Sequence, residues 1–322
     1  MSIIYNTTLL PHNTFGIDVK AASLMVIEPG DPVPHIDEPF IVVGEGSDMV
    51  FTRDYTGIVV VLSHTDCVEI LPDGVRLKAW GGMVMDRLVE WNLANGLYGL
   101  ENLSAIPGTV GAAAVQNVGA YGAEAKDTIE TVEAVDLVTG EHRTYNNDEC
   151  RFGYRTSRFK HGSGHELITY VTFRLSRTYT PNLSYKTLAD LPHDTAMQMR
   201  QSITNLRWSK LPRPEEYGSA GSFFKNPVVD EVTYSTLKNA YPDMPDAHPT
   251  AEGYKLSAGW LIDKAGWKGR SQGRVGVWPQ NALVLYNLGG CTGNEVCALS
   301  QAIQTDLMQK FGIALSPEAI II

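Results

Sequence analysis

The sequence predicts an α+β fold. Its first half is rich in short β-branched runs, such as PFIVVGEG, GIVVVLSH and GVRLKAWGG, each of which ends in glycine or a polar turn. From about Thr195 the apolar residues recur instead at helical spacing. A change of composition near residues 178–195 predicts a domain boundary between these two parts.

The first half also contains one predicted helix and a predicted hairpin. A helix begins at about Val84, with Leu88 and Trp91 on the same apolar stripe and Gly96 placed to end it. The run TIETVEAVDLVTGEHRTY predicts two strands joined by a Thr-Gly turn, and ELITYVTFRLS predicts another strand. The stretch EPGDPVPHIDEP is too rich in proline to form a helix.

Two helices are predicted in the second half. One carries an apolar stripe of Ala196, Met199, Ile203 and Leu206 and ends at LPRP. The other begins with the capping-box pair Thr292 and Glu295. Its stripe consists of Val296, Leu299, Ile303 and Leu307, and Gly312 is placed to close it.

Charge and composition narrow the class of protein. The chain has 322 residues, 43% of them hydrophobic, and a formal net charge of −10. These values are ordinary for a soluble globular protein, and the acidic balance disfavours nucleic acid as a partner. The N-terminal stretch has no basic region followed by a long apolar core, so we expect no signal peptide and a cytoplasmic protein.

Cysteine and histidine spacing does not predict a metal site. None of the four cysteines forms a C-x-x-C pair, which favours reduced thiols over metal ligands or disulfides. His161 and His165 lie in KHGSGHE, where the glycines predict a surface loop.

The segment SAIPGTVGAAAVQNVGAYGAE, residues 104–124, is uncharged until its final glutamate. A tightly packed turn is one interpretation, and a transmembrane hairpin is excluded because Pro107 and the glycines interrupt every apolar run. A backbone that approaches a ligand closely is the other, since glycine leaves room for such an approach. These residues alone do not decide between packing and ligand binding.

A second glycine loop lies in VVGEGSDMVF, where Gly44 and Gly46 follow a predicted strand. Met49 occupies the third glycine position of a Rossmann fingerprint, and more strand follows instead of a helix, so the motif fails. Either a hairpin turn or an anion-binding loop fits, because successive backbone N–H groups can converge on a phosphate, with Ser47 as a further donor.

Several polar residues are ambiguous when taken singly. Arg155 lies among aromatic residues in ECRFGYRTSRFKH, where it is either a surface cation or a bidentate partner for a carboxylate. Ser222, in SAGSFFKNP, lacks a nucleophile-elbow motif and is read as a buried donor. Glu318, in SPEA near the C-terminus, is expected to be a solvated carboxylate. Lys210, Tyr185 and Asn226 have no assignment on local grounds.

Taken in order, these motifs resemble the UDP-N-acetylenolpyruvoylglucosamine reductase family. The matching stretches are NTFGID, GEGSD, GLENLSAIPGTVGAAAVQNVGAYGAE, ECRFGYRTSRFK, LSY, KLPRP, SAGSFFKNP, SAGWLID and the terminal SPE. The Leu-Ser-Tyr loop resembles the type I branch of that family.

The resemblance implies a two-part FAD cradle of the vanillyl-alcohol-oxidase type, followed by a C-terminal α+β substrate domain. It implies FAD subdomains at residues 1–65, joined by the tail 313–322, and at 66–211, with the substrate domain at 212–312. The cofactor residues it implies are Gly44, Gly46, Ser47, Asp48, Pro107, Gly108, Gly111, Asn117, Gly119, Ala120, Tyr121 and Gly122.

The resemblance also implies the reaction and its partners. NADPH would reduce FAD, and the flavin would then reduce UDP-N-acetylglucosamine enolpyruvate, in a monomer with no membrane partner. Arg155 and Glu318 would stabilise the substrate carboxylate and enol, and Ser222 would protonate C2. Tyr185, Lys210 and Asn226 would bind the UDP-sugar. An oxidase with the same cradle and another substrate, or a non-catalytic flavin- or nucleotide-sugar-binding protein, is the alternative.

Several departures from the family pattern are expected to affect loop contacts more than the reaction. The proline-rich stretch EPGDPVPHIDEP stands where relatives have a helix after the first strand. Asp48 stands where asparagine is usual, Trp278 where histidine is common, and Ile320 where some relatives have arginine.

Overall fold

The computed structural model describes residues 1–162 and 164–322 and forms two compact units. The first unit comprises Met1–Thr7, Lys20–Glu45 and Tyr55–Arg207, and the second comprises Thr8–Val19, Gly46–Asp54 and Trp208–Ile322. The division of the chain into three domains stays a prediction.

The strands are short and numerous. In chain order they are β1 (Ser2–Thr8), β2 (Lys20–Ile27), β3 (Phe40–Val42), β4 (Met49–Val50), β5 (Tyr55–Leu62), β6 (Val68–Ile70), β7 (Arg76–Trp80), β8 (Gly119–Ala120), β9 (Ala123–Glu124), β10 (Ile129–Asp136), β11 (His142–Asn146), β12 (Glu166–Arg174), β13 (Ser219–Ser222), β14 (Val228–Val229), β15 (His248–Thr250), β16 (Gly253–Lys255), β17 (Ser271–Gln272), β18 (Val275–Val277), β19 (Val284–Asn287) and β20 (Ile320–Ile321).

The helices lie between and after these strands. They are α1 (Met85–Ala94), α2 (Val110–Gln116), α3 (Arg158–His161), α4 (Ala196–Trp208), α5 (Glu231–Ala240), α6 (Ala258–Lys264) and α7 (Gly293–Phe311). Short 3₁₀ turns occur at Leu10–His12, Glu101–Leu103, Ala125–Asp127 and Lys186–Asp190.

Two sheets form the framework of the first unit. One has the order β1-β2-β5-β3, with β2 and β3 both parallel to β5. The other has the order β11-β10-β12-β7-β6 with antiparallel neighbours throughout. Helices α1 and α2 share a buried core with this second sheet, in which Leu88, Val110 and Phe173 are fully buried. Each such side chain stabilises the fold by about 1.5–3 kcal/mol.

The second unit contains an antiparallel sheet of order β13-β19-β18-β17 and a smaller sheet of order β14-β16-β15. Its longest helix, α7, buries the predicted stripe of Val296, Leu299, Ile303 and Leu307. The C-terminal strand β20 runs parallel to β4.

Most predicted elements are confirmed. The Thr292–Glu295 capping box begins α7, and Gly312 closes it in a left-handed conformation with φ of 68°. The helix after Val84 is α1, the predicted hairpin is β10 and β11, and residues 28–39 contain no helix. Strand β12 and helix α4 also lie where the sequence predicts them.

Two local expectations need correction. The segment 104–124 contains α2, which was not predicted because Gly108 precedes the helix and Gly111 lies in its first turn. His161 ends helix α3 instead of lying in a loop, while Ser163 of KHGSGHE lies outside the described residues.

Neither a membrane span nor a metal cluster is found among residues 1–162 and 164–322. No helix there has both the length and the apolar character of a span. No group of three or more His, Cys, Asp and Glu side chains there is arranged to hold a metal ion.

Candidate active site

The glycines of both predicted cofactor segments lie against protein atoms. A Cβ on Gly111 would lie 3.1 Å from the carbonyl oxygen of Gly81, to which the Gly111 N–H already donates at 2.8 Å. A Cβ on Gly44 would lie 2.9 Å from the Oγ1 of Thr109. Packing is therefore a sufficient reason for these glycines, and their contact with a cofactor stays a prediction.

Within the second unit, the remainder of the 44–48 loop is held in the same way. A Cβ on Gly46, whose φ is 62°, would lie 2.3 Å from the carbonyl oxygen of His12. The Asp48 carbonyl accepts the N–H of Ile320 at 2.8 Å, so the loop is joined to strand β20. Through these backbone contacts, the C-terminal strand and residues 12–13 together fix the conformation of Gly46–Asp48.

Left-handed backbone is concentrated in the predicted site segments of the first unit. Among the described residues, the non-glycine residues with positive φ in this region are Ala105, Asn117, Tyr121, Arg151 and Arg155. Such conformations cost a non-glycine residue about 1–2 kcal/mol and persist only where surrounding contacts enforce them. This clustering is typical of a functional site.

Asn117 ties the end of α2 to the loop that carries Arg155. Its side chain is fully buried, and its Nδ2 donates to the carbonyl oxygen of Gly153 at 2.9 Å and to Glu124 at 3.2 Å. Its Oδ1 accepts the N–H of Lys126 at 3.0 Å. The contacts made by Asn117 are with protein, so a direct hydrogen bond to the cofactor stays a prediction.

Arg155 is half-buried and has a left-handed backbone with φ of 54°. Its Nη2 donates to the carbonyl oxygen of Gly119 at 2.6 Å, so its guanidinium lies on the 119–122 segment. The Nζ of Lys160 holds the backbone by donating to the Arg155 carbonyl at 3.1 Å. The structure thus brings Arg155 together with the segment predicted to bind the cofactor.

The guanidinium of Arg207 interacts electrostatically with Arg155 and Tyr121. Burial lowers the pKa of Arg207, and the positive charge of Arg155 acts in the same direction, while Tyr121 and Asp86 oppose the shift. Two arginines that influence one another beside the 119–122 segment make this region favourable for an anionic ligand.

Tyr185 lies in the same unit, half-buried, with its ring packed edge-on against that of Tyr121 at a centroid distance of 5.4 Å. A Cβ on Gly122 would meet this loop, at 2.8 Å from the Cβ of Ser184 and 2.9 Å from the backbone N of Tyr185. The predicted substrate loop therefore rests on the predicted cofactor segment.

In the second unit, Ser222 and Glu318 occupy paired backbone segments although 95 residues separate them in sequence. Ser222 ends β13, pairs with Val284 and is exposed rather than buried as expected. The Glu318 N–H donates to the carbonyl oxygen of Phe223, the residue after Ser222, at 2.7 Å. The bridge between Phe224 and Pro317 continues this antiparallel pairing.

The remaining predicted substrate residues also lie in the second unit. The Oδ1 of Asn226 accepts the N–H of Ala258 at 3.0 Å, at the start of α6, so one face of its amide has a structural role. Lys210 is exposed. Asn226 follows Ser222 by four residues on the chain segment that pairs with the C-terminus.

The donors in the first unit fit a ligand with a pyrophosphate. The N–H of Gly108, a residue with φ of 122°, donates to the carboxylate of Glu45, so the present partner of this donor is an anionic oxygen. Together with the arginines beside residues 119–122, this donor set fits FAD. Contact of Gly108 and Gly119 with the cofactor stays a prediction, as does contact of Arg155 with the substrate.

Sequence reasoning missed three residues that organise these segments: Glu45, Asn102 and Lys160. Asn102 lies in the matched stretch that begins GLENLS, between Glu101 and Leu103, and its neighbours there do not indicate its partners. Glu45 and Lys160 fall within matched motifs, but nothing local indicates their partners.

Comparison with known proteins gives the family. Residues 35–146 match the model of an FAD binding domain, and residues 213–322 match the UDP-N-acetylenolpyruvoylglucosamine reductase C-terminal domain. These matches confirm the predicted FAD cradle and C-terminal domain.

Relatives of that name cover the whole chain. One from Burkholderia ambifaria is 41% identical over an alignment of 343 residues that covers 99% of this chain and 97% of the relative. One from Burkholderia multivorans is 40% identical with the same coverage. The crystal structure of UDP-N-acetylenolpyruvylglucosamine reductase from Thermus caldophilus shares the fold, with a TM-score of 0.68, 22% identity and coverage of 99% and 98%. The chain therefore belongs to the UDP-N-acetylenolpyruvoylglucosamine reductase family.

Proposed function

We propose that this chain reduces UDP-N-acetylglucosamine enolpyruvate to UDP-N-acetylmuramate with NADPH as the donor, and that Arg155, Ser222 and Glu318 are its catalytic residues. The observation that carries the residue assignment is the hydrogen bond from the Glu318 N–H to the Phe223 carbonyl. It supports a pair of functional groups, one hydroxyl and one carboxyl, on adjacent backbone segments.

When bound, FAD would supply the hydride chemistry that links NADPH to C3 of the enolpyruvyl group. Gly108, Gly119 and the loop at residues 44–48 would hold this cofactor. Arg155 is suited to stabilise negative charge that grows on the enol and its carboxylate, because the Gly119 and Lys160 contacts fix its position before reaction. A preorganised donor of this kind does not have to reorient during the reaction.

Ser222 is proposed to give its proton to C2 of the substrate. A serine hydroxyl is a weak acid in water, so this transfer requires a strongly basic acceptor and favourable neighbours. Arg155 and Glu318 together would polarise the carboxylate and enol. Tyr185, Lys210 and Asn226 would bind the UDP-sugar, chiefly at its phosphates.

We further propose the biological setting and domain organisation. The reaction supplies a peptidoglycan precursor and so serves cell-wall growth, cell shape and division, in a cytoplasmic monomer with no nucleic-acid or membrane partner. The proposed domains are 1–65 with 313–322, then 66–211, then 212–312.

Separate measurement of the two half-reactions tests Ser222. Reduction of the flavin by NADPH needs no proton at C2, so Ser222→Ala should leave its rate close to wild type. Reoxidation by the enolpyruvyl substrate should slow by at least about 100-fold, the lower range for a general acid. Ser222→Cys should recover part of the loss, because a thiol is more acidic than a hydroxyl.

Stopped-flow absorbance of the flavin follows each half-reaction. Equal slowing of both would make Ser222 structural, and no slowing of either would assign protonation to another group.

A further inference from the structure

Asn102 joins the predicted cofactor segment to the predicted substrate loop. It lies in the 3₁₀ turn Glu101–Leu103 and is only 4% exposed. Its Nδ2 donates to two carbonyl oxygens, that of Tyr121 at 2.8 Å and that of Asn182 at 3.0 Å. One buried amide thus connects two segments about 60 residues apart.

Asn182, in the loop that carries Tyr185, provides a second connection between the same two segments. The Nδ2 of Asn182 donates to the carbonyl oxygen of Gly122 at 3.1 Å, and its Oδ1 accepts the N–H of Ser184 at 3.0 Å. Consecutive carbonyls, those of Tyr121 and Gly122, are therefore both occupied by asparagine amides. These two residues have φ values of 50° and 83°, so the turn they form is left-handed throughout.

These contacts define the position of Tyr185. The Tyr121 and Tyr185 rings meet edge-on, at an interplanar angle of 84°, and both pack against the small core of Leu188, Met199 and Ile203. Ring packing alone allows sliding, because apolar contact is not directional. The hydrogen bonds of Asn102 fix the backbone on both sides of the ring contact.

We propose that Asn102 is a positioning residue that holds the Tyr185 loop on the 119–122 segment, in an arrangement from which Tyr185 binds the UDP-sugar. This inference rests on the proposed function, in which Tyr185 binds the UDP-sugar and residues 119–122 border the cofactor. Restricting the conformations of a loop in the free protein raises affinity because less ordering is left to the binding step. Loss of Asn102 should consequently weaken binding of the UDP-sugar more than it slows the reaction of bound substrate.

The test compares Asn102→Leu with Asn147→Leu in the FAD-loaded protein. Asn147 is a matched control because its Nδ2 also bridges two carbonyl oxygens, those of Lys126 and Ile129, at 2.9 and 2.6 Å. In Asn102→Leu we expect the Kd and KM for UDP-N-acetylglucosamine enolpyruvate to rise about tenfold, which corresponds to ~1.4 kcal/mol, while kcat stays close to wild type. Asn147→Leu should leave all three values near wild type.

Limited trypsin digestion supplies a readout that does not depend on activity. Lys186 follows Tyr185 and is exposed, so cleavage after it reports release of the loop. We expect this cleavage to accelerate in Asn102→Leu and not in Asn147→Leu. Asn182→Ala, which removes the half-buried loop-side partner, should act in the same direction and remains informative if Asn102→Leu does not fold.

Two results would overturn the proposal. One is unchanged substrate affinity and unchanged cleavage after Lys186 in both Asn102→Leu and Asn182→Ala. The other is an equal effect in Asn147→Leu, which would show general destabilisation. Failure of the proposed function is recognised separately, because the wild-type flavin would then not be reoxidised by the UDP-sugar, while the cleavage assay would still test how the loop is held.

Discussion

Replacement of Gly46 by alanine separates the two explanations for the glycine-rich segments. The Cβ of an alanine here would lie 2.3 Å from the His12 carbonyl oxygen and 2.8 Å from the Cα of Asn13. Both neighbours are backbone atoms, so they cannot move aside as a flexible side chain would. If packing requires Gly46, the substitution must destabilise the protein without any cofactor present.

The expected loss has two parts. The left-handed φ of 62° costs a residue with a Cβ about 1–2 kcal/mol. Backbone displacement to relieve overpacking adds about 1–3 kcal/mol. We therefore expect the free energy of unfolding of FAD-free Gly46→Ala to fall by about 2–5 kcal/mol.

Gly312→Ala is the matched control in the same unit. Its φ is 68°, and a Cβ there would meet nothing within 4 Å, so only the conformational cost of about 1–2 kcal/mol applies. Urea unfolding of both FAD-free variants, followed by circular dichroism, gives the comparison. Equal losses in the two variants would refute the packing argument, and an unchanged Gly46→Ala that binds FAD poorly would favour ligand approach as the reason for the glycine.

Three further predictions follow from individual contacts. Turnover should fall by about 100–1000-fold in Arg155→Ala, because a preorganised charged donor is removed. Steady-state kinetics at full flavin occupancy measures this loss, and near-normal turnover would make Arg155 a surface cation. Hydrogen bonding to Arg274 is the main reason why the pKa of Glu295 falls from 4.5 to about 2. The stabilising contribution of the Glu295 carboxylate should therefore be complete above pH 4.5 and disappear as the pH falls through 2. The urea midpoints of wild type and Glu295→Gln should converge over that range. A difference between them that stays constant with pH would contradict this prediction. Burial raises the pKa of the Cys150 thiol to about 12, so it should not react with a thiol reagent at pH 8 until the chain is unfolded, and rapid native-state labelling of Cys150 would contradict its burial.

The elements that sequence rules predict are those fixed by local chemistry. Thr292, Glu295 and Gly312 determine both ends of α7 through contacts within a few residues, and the structure confirms them. Helix α2 was missed because the glycines around its alanines lower helical preference, whereas the tertiary contact of Gly111 with Gly81 favours the helix.

The site depends on contacts that no local pattern contains. The pairing of Glu318 with Phe223 joins residues 95 apart, and Asn102 joins segments far apart on the chain. The residues alone predicted a buried donor at Ser222 and a solvated carboxylate at Glu318, and only the resemblance to a family implied catalytic roles for them. In the second unit the backbone of Glu318 pairs with that of Phe223, the residue after Ser222, and the catalytic roles of Ser222 and Glu318 stay a prediction.

This chain transfers reducing equivalents from NADPH through FAD to the enolpyruvyl group of a UDP-sugar. The most direct measurement is anaerobic. The flavin is first reduced with one equivalent of NADPH, and UDP-N-acetylglucosamine enolpyruvate is then added while the flavin absorbance is recorded. We predict rapid return of the oxidised spectrum with formation of UDP-N-acetylmuramate, and no return with UDP-N-acetylglucosamine, which lacks the enolpyruvyl group. A flavin that stays reduced with the enolpyruvyl substrate, or that reoxidises only when oxygen is admitted, would contradict the account.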